Sequence, residues 1–215
     1  KQTLLVNGGP GTGKSVLAIN MLVEFIGRGF VAHYVSKNAA PRAVYKAKLT
    51  GTLTQNRISN LFKGSGAYYD CASNSIEILI VDEAHRLNAK SGLYSNLGEN
   101  QIKELIDVAK LSIFFIDEDQ RVTLKDIGHA DEIKGWALQL GSAIHQISLE
   151  SQFRCNGSDG YLAFTDDLLQ IRQTANPDIE GLGYDIRVFD SPADLKKQIV
   201  LKNNENKARM VAGYC

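Results

Sequence analysis

Four glycines, a lysine and a serine crowd into eight residues near the start of the chain: Gly8-Gly9-Pro10-Gly11-Thr12-Gly13-Lys14-Ser15. The order matches G-x-x-x-x-G-K-[ST], the Walker A pattern of a phosphate-binding loop. Its glycines permit positive φ and bring the backbone against a phosphate with no Cβ between them. Successive N–H groups then converge on the anion, at the positive end of a helix beginning near Lys14. Lys14 can reach the β- and γ-phosphates, and the Ser15 hydroxyl can ligate Mg2+. The chemistry expected is the grip of a nucleoside triphosphate. The alternative is a glycine-rich strand-to-helix turn with a chance lysine. The position of the pattern, after an apolar strand and before an apolar helix, argues against that alternative.

A second stretch, "IEILIVDEAHRL", ends an apolar strand in Asp82-Glu83-Ala84-His85, a DEAH tetrad. Asp82 suits a Mg2+ ligand, direct or through water. Glu83 points elsewhere and can polarise an attacking water as general base. Two acids at the carboxyl end of a strand, where α/β sheets place ligands, suggest hydrolysis and not mere binding. An acidic N-cap for the next segment is the competing reading. His85 either couples the nucleotide site to a neighbouring segment or simply packs.

These residues need a scaffold, and the sequence supplies one. Five short apolar runs rich in β-branched or aromatic residues stand at Thr3–Val6, Val31–Ser36, Ile76–Asp82, Ser112–Asp117 and Ile144–Leu149. Several are apolar at successive positions, as strands covered on both faces are. Between them lie helix-like patterns. Val16–Ile26 is apolar almost all round, and Ile102, Leu105, Ile106 and Ala109 share one helical face. Alternating strands and helices predict an α/β fold, a mainly parallel five-stranded sheet with helices on both faces. Beyond Leu149, Ser158 reads as the N-cap of a helix to about Arg172. Residues 176–186 read as a linker. Ser191, Pro192 and Asp194 form a capping pattern for a further helix, and "ARMVAGYC" reads as a strand. The expected division is a domain over 1–175, a linker over 176–186 and, over 187–215, the truncated start of a second domain.

Composition narrows the class without naming it. Lys+Arg and Asp+Glu are equal at 24 each in 215 residues, so any basic surface must be local. No apolar run approaches the roughly 20 residues of a membrane span, and no signal peptide is evident. Cys71, Cys155 and Cys215 have neither zinc-site spacing nor an even count. The expectation is a cytoplasmic protein with reduced thiols and no membrane partner.

The glycine loop, the DEAH tetrad, "FFIDEDQRV" at 114–122 and "LESQFRC" at 149–155 occur in the order of superfamily 1 DNA/RNA helicases. Within these the chain resembles the Schlafen-type helicase domain family, and "ARMVAGYC" is similar to a segment following that family's first motor domain. The resemblance covers most of the chain. It implies a RecA-like P-loop NTPase motor domain that binds ATP with Mg2+, and an ATPase belonging to a helicase or single-strand translocase. Single-stranded DNA or RNA is the implied partner in the full-length protein, together with a second motor domain missing here. Gly8 to Ser15 would bind nucleotide, and Ser15 and Asp82 would hold the metal. Glu83 would activate water. Gln120, after the fourth strand, would sense the γ-phosphate, although a plain surface turn fits its local sequence. Arg154 would stabilise charge on that phosphate, or would pair with an acid such as Glu150. Ser36, Lys37, Asn38 and Arg42 occupy the family's nucleic-acid position, with Tyr34 or Tyr45 as a stacking face; a solvated helix start is the alternative for each. The implied fragment is weakly active alone. A nucleotide-dependent regulatory switch without unwinding activity is the second functional reading, consistent with the neutral charge balance.

Overall fold

A computed structural model describes the chain except residues 93, 122, 152–158, 175–183, 205–207 and 212–215. Two compact units divide it, Lys1–Ser158 and Asp159–Cys215. The first contains, in chain order, β1 (Gln2–Gly8), α1 (Lys14–Gly27), β2 (Ala32–Ser36), α2 (Ala39–Leu49), α3 (Gln55–Leu61), β3 (Phe62–Lys63), β4 (Ile76–Asp82), α4 (Gln101–Val108), β5 (Ala109–Ile116), α5 (Ala130–Gln139) and β6 (Ala143–Leu149).

The strands form one sheet in the order β3-β2-β4-β5-β1-β6, and every adjacent pair in it is parallel. The sheet has six strands where the sequence predicts five. The extra one, β3, contributes two residues, paired Tyr34↔Phe62 and Val35↔Lys63. An element that short leaves no periodic signal.

Successive apolar residues along the strands serve opposite faces. Leu79, Val81 and Phe114 pack with Ile102, Leu105 and Ile106 of α4 and with Ile133 and Ala137 of α5. Ile78, Ile80, Ile113 and Phe115 pack with Ala18 and Leu22 of α1, Ile58 of α3 and Phe62. Two-sided burial therefore explains the uninterrupted apolar runs of β4 and β5. One reading needs correction. Ala109 does not extend the apolar face of α4: the helix ends at Val108, and Ala109 opens β5. Val16–Ile26 lies within α1 as its pattern predicts, with Val16 and Val23 67% and 64% exposed.

The second unit contains α6 (Asp159–Leu168) and α7 (Pro192–Lys202). Helix α6 stops short of Arg172, and Ser158 lies outside the described residues. Ser191 caps α7: its Oγ accepts from the Asp194 amide at 3.1 Å, with Pro192 at the first helical position. The Ser-Pro capping pattern thus sets this helix start as its sequence predicts. Residues 208–211 form no strand, and the rest of "ARMVAGYC" lies outside the described residues.

Candidate nucleotide site

A parallel sheet presents all its carboxyl ends along one rim. Register aligns Ser36 with Asp82, Asn7 with Ile116 and Gly8 with Leu149 at that rim. Strand β5 lies between β1 and β4. The glycine loop after β1, the Asp117–Gln120 turn after β5 and the acid pair ending β4 are consequently neighbours, although 117 lies over a hundred residues from the loop.

The loop folds as its glycines require. Gly13 caps α1 with φ 86°, a conformation that side chains disfavour. A Cβ on Gly8 would sit 2.5 Å from Thr12 Oγ1, whose hydroxyl donates to the Gly9 carbonyl at 2.9 Å. Helix α1 has no side-chain cap and no acid in its first turn. Its leading N–H groups and positive dipole end are therefore left to an external anion.

Lys14 is buried, 7% exposed, and its ammonium is fully engaged. It donates to the Gly8 carbonyl, to the Gly9 carbonyl at 2.8 Å and to Asp117 Oδ2 at 3.3 Å. Asp117 is thus the buried counter-ion of the loop lysine, a role its sequence context does not disclose.

The acid pair diverges as its spacing implies. Asp82 is 1% exposed, and each of its oxygens has a partner. Tyr34 Oη donates to Oδ2 at 2.6 Å, and the Glu83 amide donates to Oδ1 at 3.0 Å. Glu83 has φ 54° and ψ 42°, the left-handed region that a non-glycine residue seldom adopts. This sharp turn carries the Glu83 carboxylate away from Asp82. Glu83 and Gln120 line a cavity of ≈ 250 Å³ together with Pro10, Gly11, Gly13, Lys14 and Ser15. Asp82 is buried and is not among its lining residues.

His85 lies between Asp117 and Glu83. Its Nδ1 accepts from the Asp117 amide at 3.2 Å, so the ring proton belongs on Nε2, 3.1 Å from Glu83 Oε2. The imidazole ties the end of β5 to Glu83. That hydrogen bond, aided by the charges of Lys14 and Arg86, holds the Glu83 carboxyl below its usual range although burial opposes ionisation. Glu83 is thereby kept as a carboxylate. Burial, reinforced by the Asp82 carboxylate, pushes the Tyr34 phenol far above its ordinary value, so Tyr34 remains a hydrogen-bond donor.

The β2–α2 junction looks inward. Ser36 Oγ donates to the Asn38 carbonyl at 3.3 Å. Lys37 Nζ donates to Asn88 Oδ1 at 2.9 Å and to buried Asp126 Oδ1 at 3.1 Å. The Arg42 guanidinium donates to the carbonyls of Ser36 and Asn38. Asn38 occupies the N-cap position of α2 without a side-chain capping bond. Tyr34 is fully buried and offers no stacking face, and Tyr45 stacks on Phe62 at 5.6 Å and 18°. Arg154 lies outside the described residues.

Among the described residues no group of three or more His, Cys, Asp and Glu side chains is arranged to hold a metal ion. The available donors are hard oxygens, the Asp82 carboxylate and the Ser15 hydroxyl. That set suits Mg2+, which takes one or two protein ligands and completes its shell with water and substrate phosphates.

Loop, acid pair and sheet order define an α/β domain of the P-loop NTPase class, with a RecA-like parallel sheet. The chain belongs to the Schlafen group 3 DNA/RNA helicase domain family, which it matches over residues 1–215. No curated protein matches it. Three similar solved structures are a DNA replication initiation factor, AMPPCP-bound DnaA from Aquifex aeolicus, and the replication initiator DnaA bound to AMPPCP and single-stranded DNA. Identities are 17%, 15% and 17%, with TM-scores of 0.35, 0.33 and 0.35. The alignments cover 94%, 95% and 95% of this chain and 55%, 55% and 56% of those chains. The chain thus spans little more than half their length.

Proposed function

We propose that this chain binds and hydrolyses ATP as the first motor domain of a DNA/RNA helicase or single-strand translocase. The observation that carries the reading is the convergence of the glycine loop, Glu83 and Gln120 on one cavity, with Asp82 buried beside it. Gly8, Gly9, Pro10, Gly11, Thr12 and Gly13 cradle the phosphates with their backbone, and Lys14 moves its charge from the loop carbonyls to the nucleotide. Ser15 and Asp82 would hold Mg2+, which would supply positive charge against the charge that develops on the phosphates. Glu83, kept anionic by His85, accepts the proton of the attacking water. Gln120 reads the γ-phosphate, and Arg154 stabilises its charge in the transition state. Ser36, Lys37, Asn38 and Arg42 contact single-stranded DNA or RNA, Lys37 and Arg42 exchanging intramolecular acceptors for phosphates.

In this reading the motor domain covers 1–175, 176–186 is a linker, and 187–215 begins the second domain. A second motor domain closes the nucleotide site, so this chain alone turns over slowly. The neutral charge balance favours one rival, a nucleotide-driven switch that moves a partner and unwinds nothing. Both readings share the hydrolytic site. Glu83→Gln in the full-length protein should retain ATP affinity within a few-fold and lose 10²-fold or more in turnover, the usual worth of a general base. Turnover near the wild-type rate would remove Glu83 from this role.

A further inference from the structure

The hydrolytic reading assigns no part to Tyr34, yet its hydroxyl bonds directly to the acid pair. It sits on β2, two residues before the strand end, and register places its neighbour Ser36 beside Asp82. The phenol is 0% exposed and donates to Asp82 Oδ2 at 2.6 Å, the short length of an O–H to carboxylate bond. The ring has little freedom. Tyr45 of α2 meets it edge-on at 5.6 Å and 74°, and Phe62 of β3 lies at 5.6 Å and 56°. Tyr45 and Phe62 stack on each other, so residues of two elements, α2 and β3, hold the Tyr34 ring.

A carboxylate has about four lone-pair sites. Tyr34 and the Glu83 amide occupy one on each oxygen of Asp82, which fixes the carboxylate plane and leaves the remaining sites for a cation or its water.

We propose that Tyr34 is a positioning residue for the metal at the nucleotide site. Clamped by Tyr45 and Phe62, it locks the Asp82 carboxylate in its metal-binding orientation. The inference rests on the reading of Asp82 as a metal ligand. It extends that reading to a residue in the edge module formed by α2, α3 and β3, so that movement of α2 reaches the metal through one hydrogen bond.

Tyr34→Phe removes the hydroxyl and keeps the ring. In the full-length protein, Mn2+ binding in the presence of ATP, read by electron paramagnetic resonance, should weaken about 10-fold or more, the usual cost of losing a supporting partner of a metal ligand. Binding of a fluorescent ATP analogue in EDTA should stay within two-fold of wild type. Asp82→Asn is measured beside it. If Asp82→Asn weakens Mn2+ binding and Tyr34→Phe does not, the Tyr34 inference is overturned and the site reading stands. If neither matters, Asp82 is not the metal ligand and both fail. An equal loss of metal-free nucleotide binding in Tyr34→Phe would reduce Tyr34 to a packing residue and likewise overturn the inference.

Discussion

Gly128 is where one methyl group should separate hydrolysis from nucleotide binding. A Cβ built there overlaps the Ala84 carbonyl oxygen and lies 2.5 Å from His85 Cα. Real Cβ atoms essentially never come within 3.0 Å of such neighbours, so Gly128→Ala demands a displacement of about 1 Å between two backbones. Either side of the contact loses something. If the 126–129 segment yields, the Ile127 amide bond to the Leu87 carbonyl, now 2.8 Å, and the Asp126 pairs with Lys37 and Arg86 stretch. If the Ala84–Arg86 turn yields, His85 leaves Glu83, and a 3.1 Å contact lengthened by about 1 Å is no longer a hydrogen bond. Overpacking of this kind costs about 1–3 kcal/mol. At about 2–4 °C per kcal/mol, the melting temperature should fall by roughly 2–12 °C. The glycine loop is not part of the contact, so ATP affinity should hold within a few-fold. Turnover should fall about ten-fold or more, because a shift of about 1 Å in a catalytic group can cost 10²-fold. Gly135 in α5 is the control: a Cβ there meets nothing within 4 Å. Gly135→Ala should be neutral or stabilising by up to about 1 kcal/mol, with normal turnover. Wild-type stability and turnover in Gly128→Ala would refute the coupling of this segment to Glu83.

Lys14→Arg keeps the charge but replaces a compact ammonium with a wide guanidinium fork, which the geometry around Gly8, Gly9 and Asp117 cannot seat. ATP affinity should drop at least ten-fold by calorimetry, and unchanged affinity and rate would contradict the use made of Lys14. Asp107 concerns stability alone. Burial opposes its ionisation, but hydrogen bonds from Lys1 and Ser73 and the charges of Lys1 and Lys103 hold its carboxyl below the usual range. A depressed carboxyl stabilises the fold above its unfolded value of about 3.9, and that stability is lost as pH falls through the folded value. Asp107→Asn should therefore cost stability at pH 7, by no more than about 1 kcal/mol because the pair is partly exposed, and the difference should fade as pH falls through the folded value. A difference that persists in acid would assign the effect to packing.

Much of this site is written in local sequence because phosphate binding is local chemistry. The loop needs glycines at fixed offsets, and the acid pair needs a strand end, so both stand out one-dimensionally. The parallel sheet is equally legible, since two-sided burial leaves β4 and β5 apolar throughout. Contacts across strands are not legible. Tyr34 reads as one aromatic residue in a strand and becomes a partner of Asp82 only through the β2–β4 register. Asp117 and His85 are polar residues after separate strands, and only the sheet order puts β5 beside both β1 and β4. Gly128 carries no turn or positive-φ signature; its necessity comes from a backbone brought against it from position 84. The junction at Lys37 and Arg42 shows the opposite difficulty, because cations that suit phosphates equally suit Asp126 and main-chain carbonyls.

If the cavity between the glycine loop and Glu83 powers movement on a nucleic-acid strand, the polymer must accelerate hydrolysis. The direct measurement is steady-state ATP hydrolysis by the full-length protein, with and without saturating single-stranded DNA or RNA, at fixed salt. At least one polymer should stimulate hydrolysis about ten-fold or more, and Glu83→Gln should abolish the stimulated rate. Hydrolysis indifferent to both polymers would contradict the motor reading and leave the switch in its place.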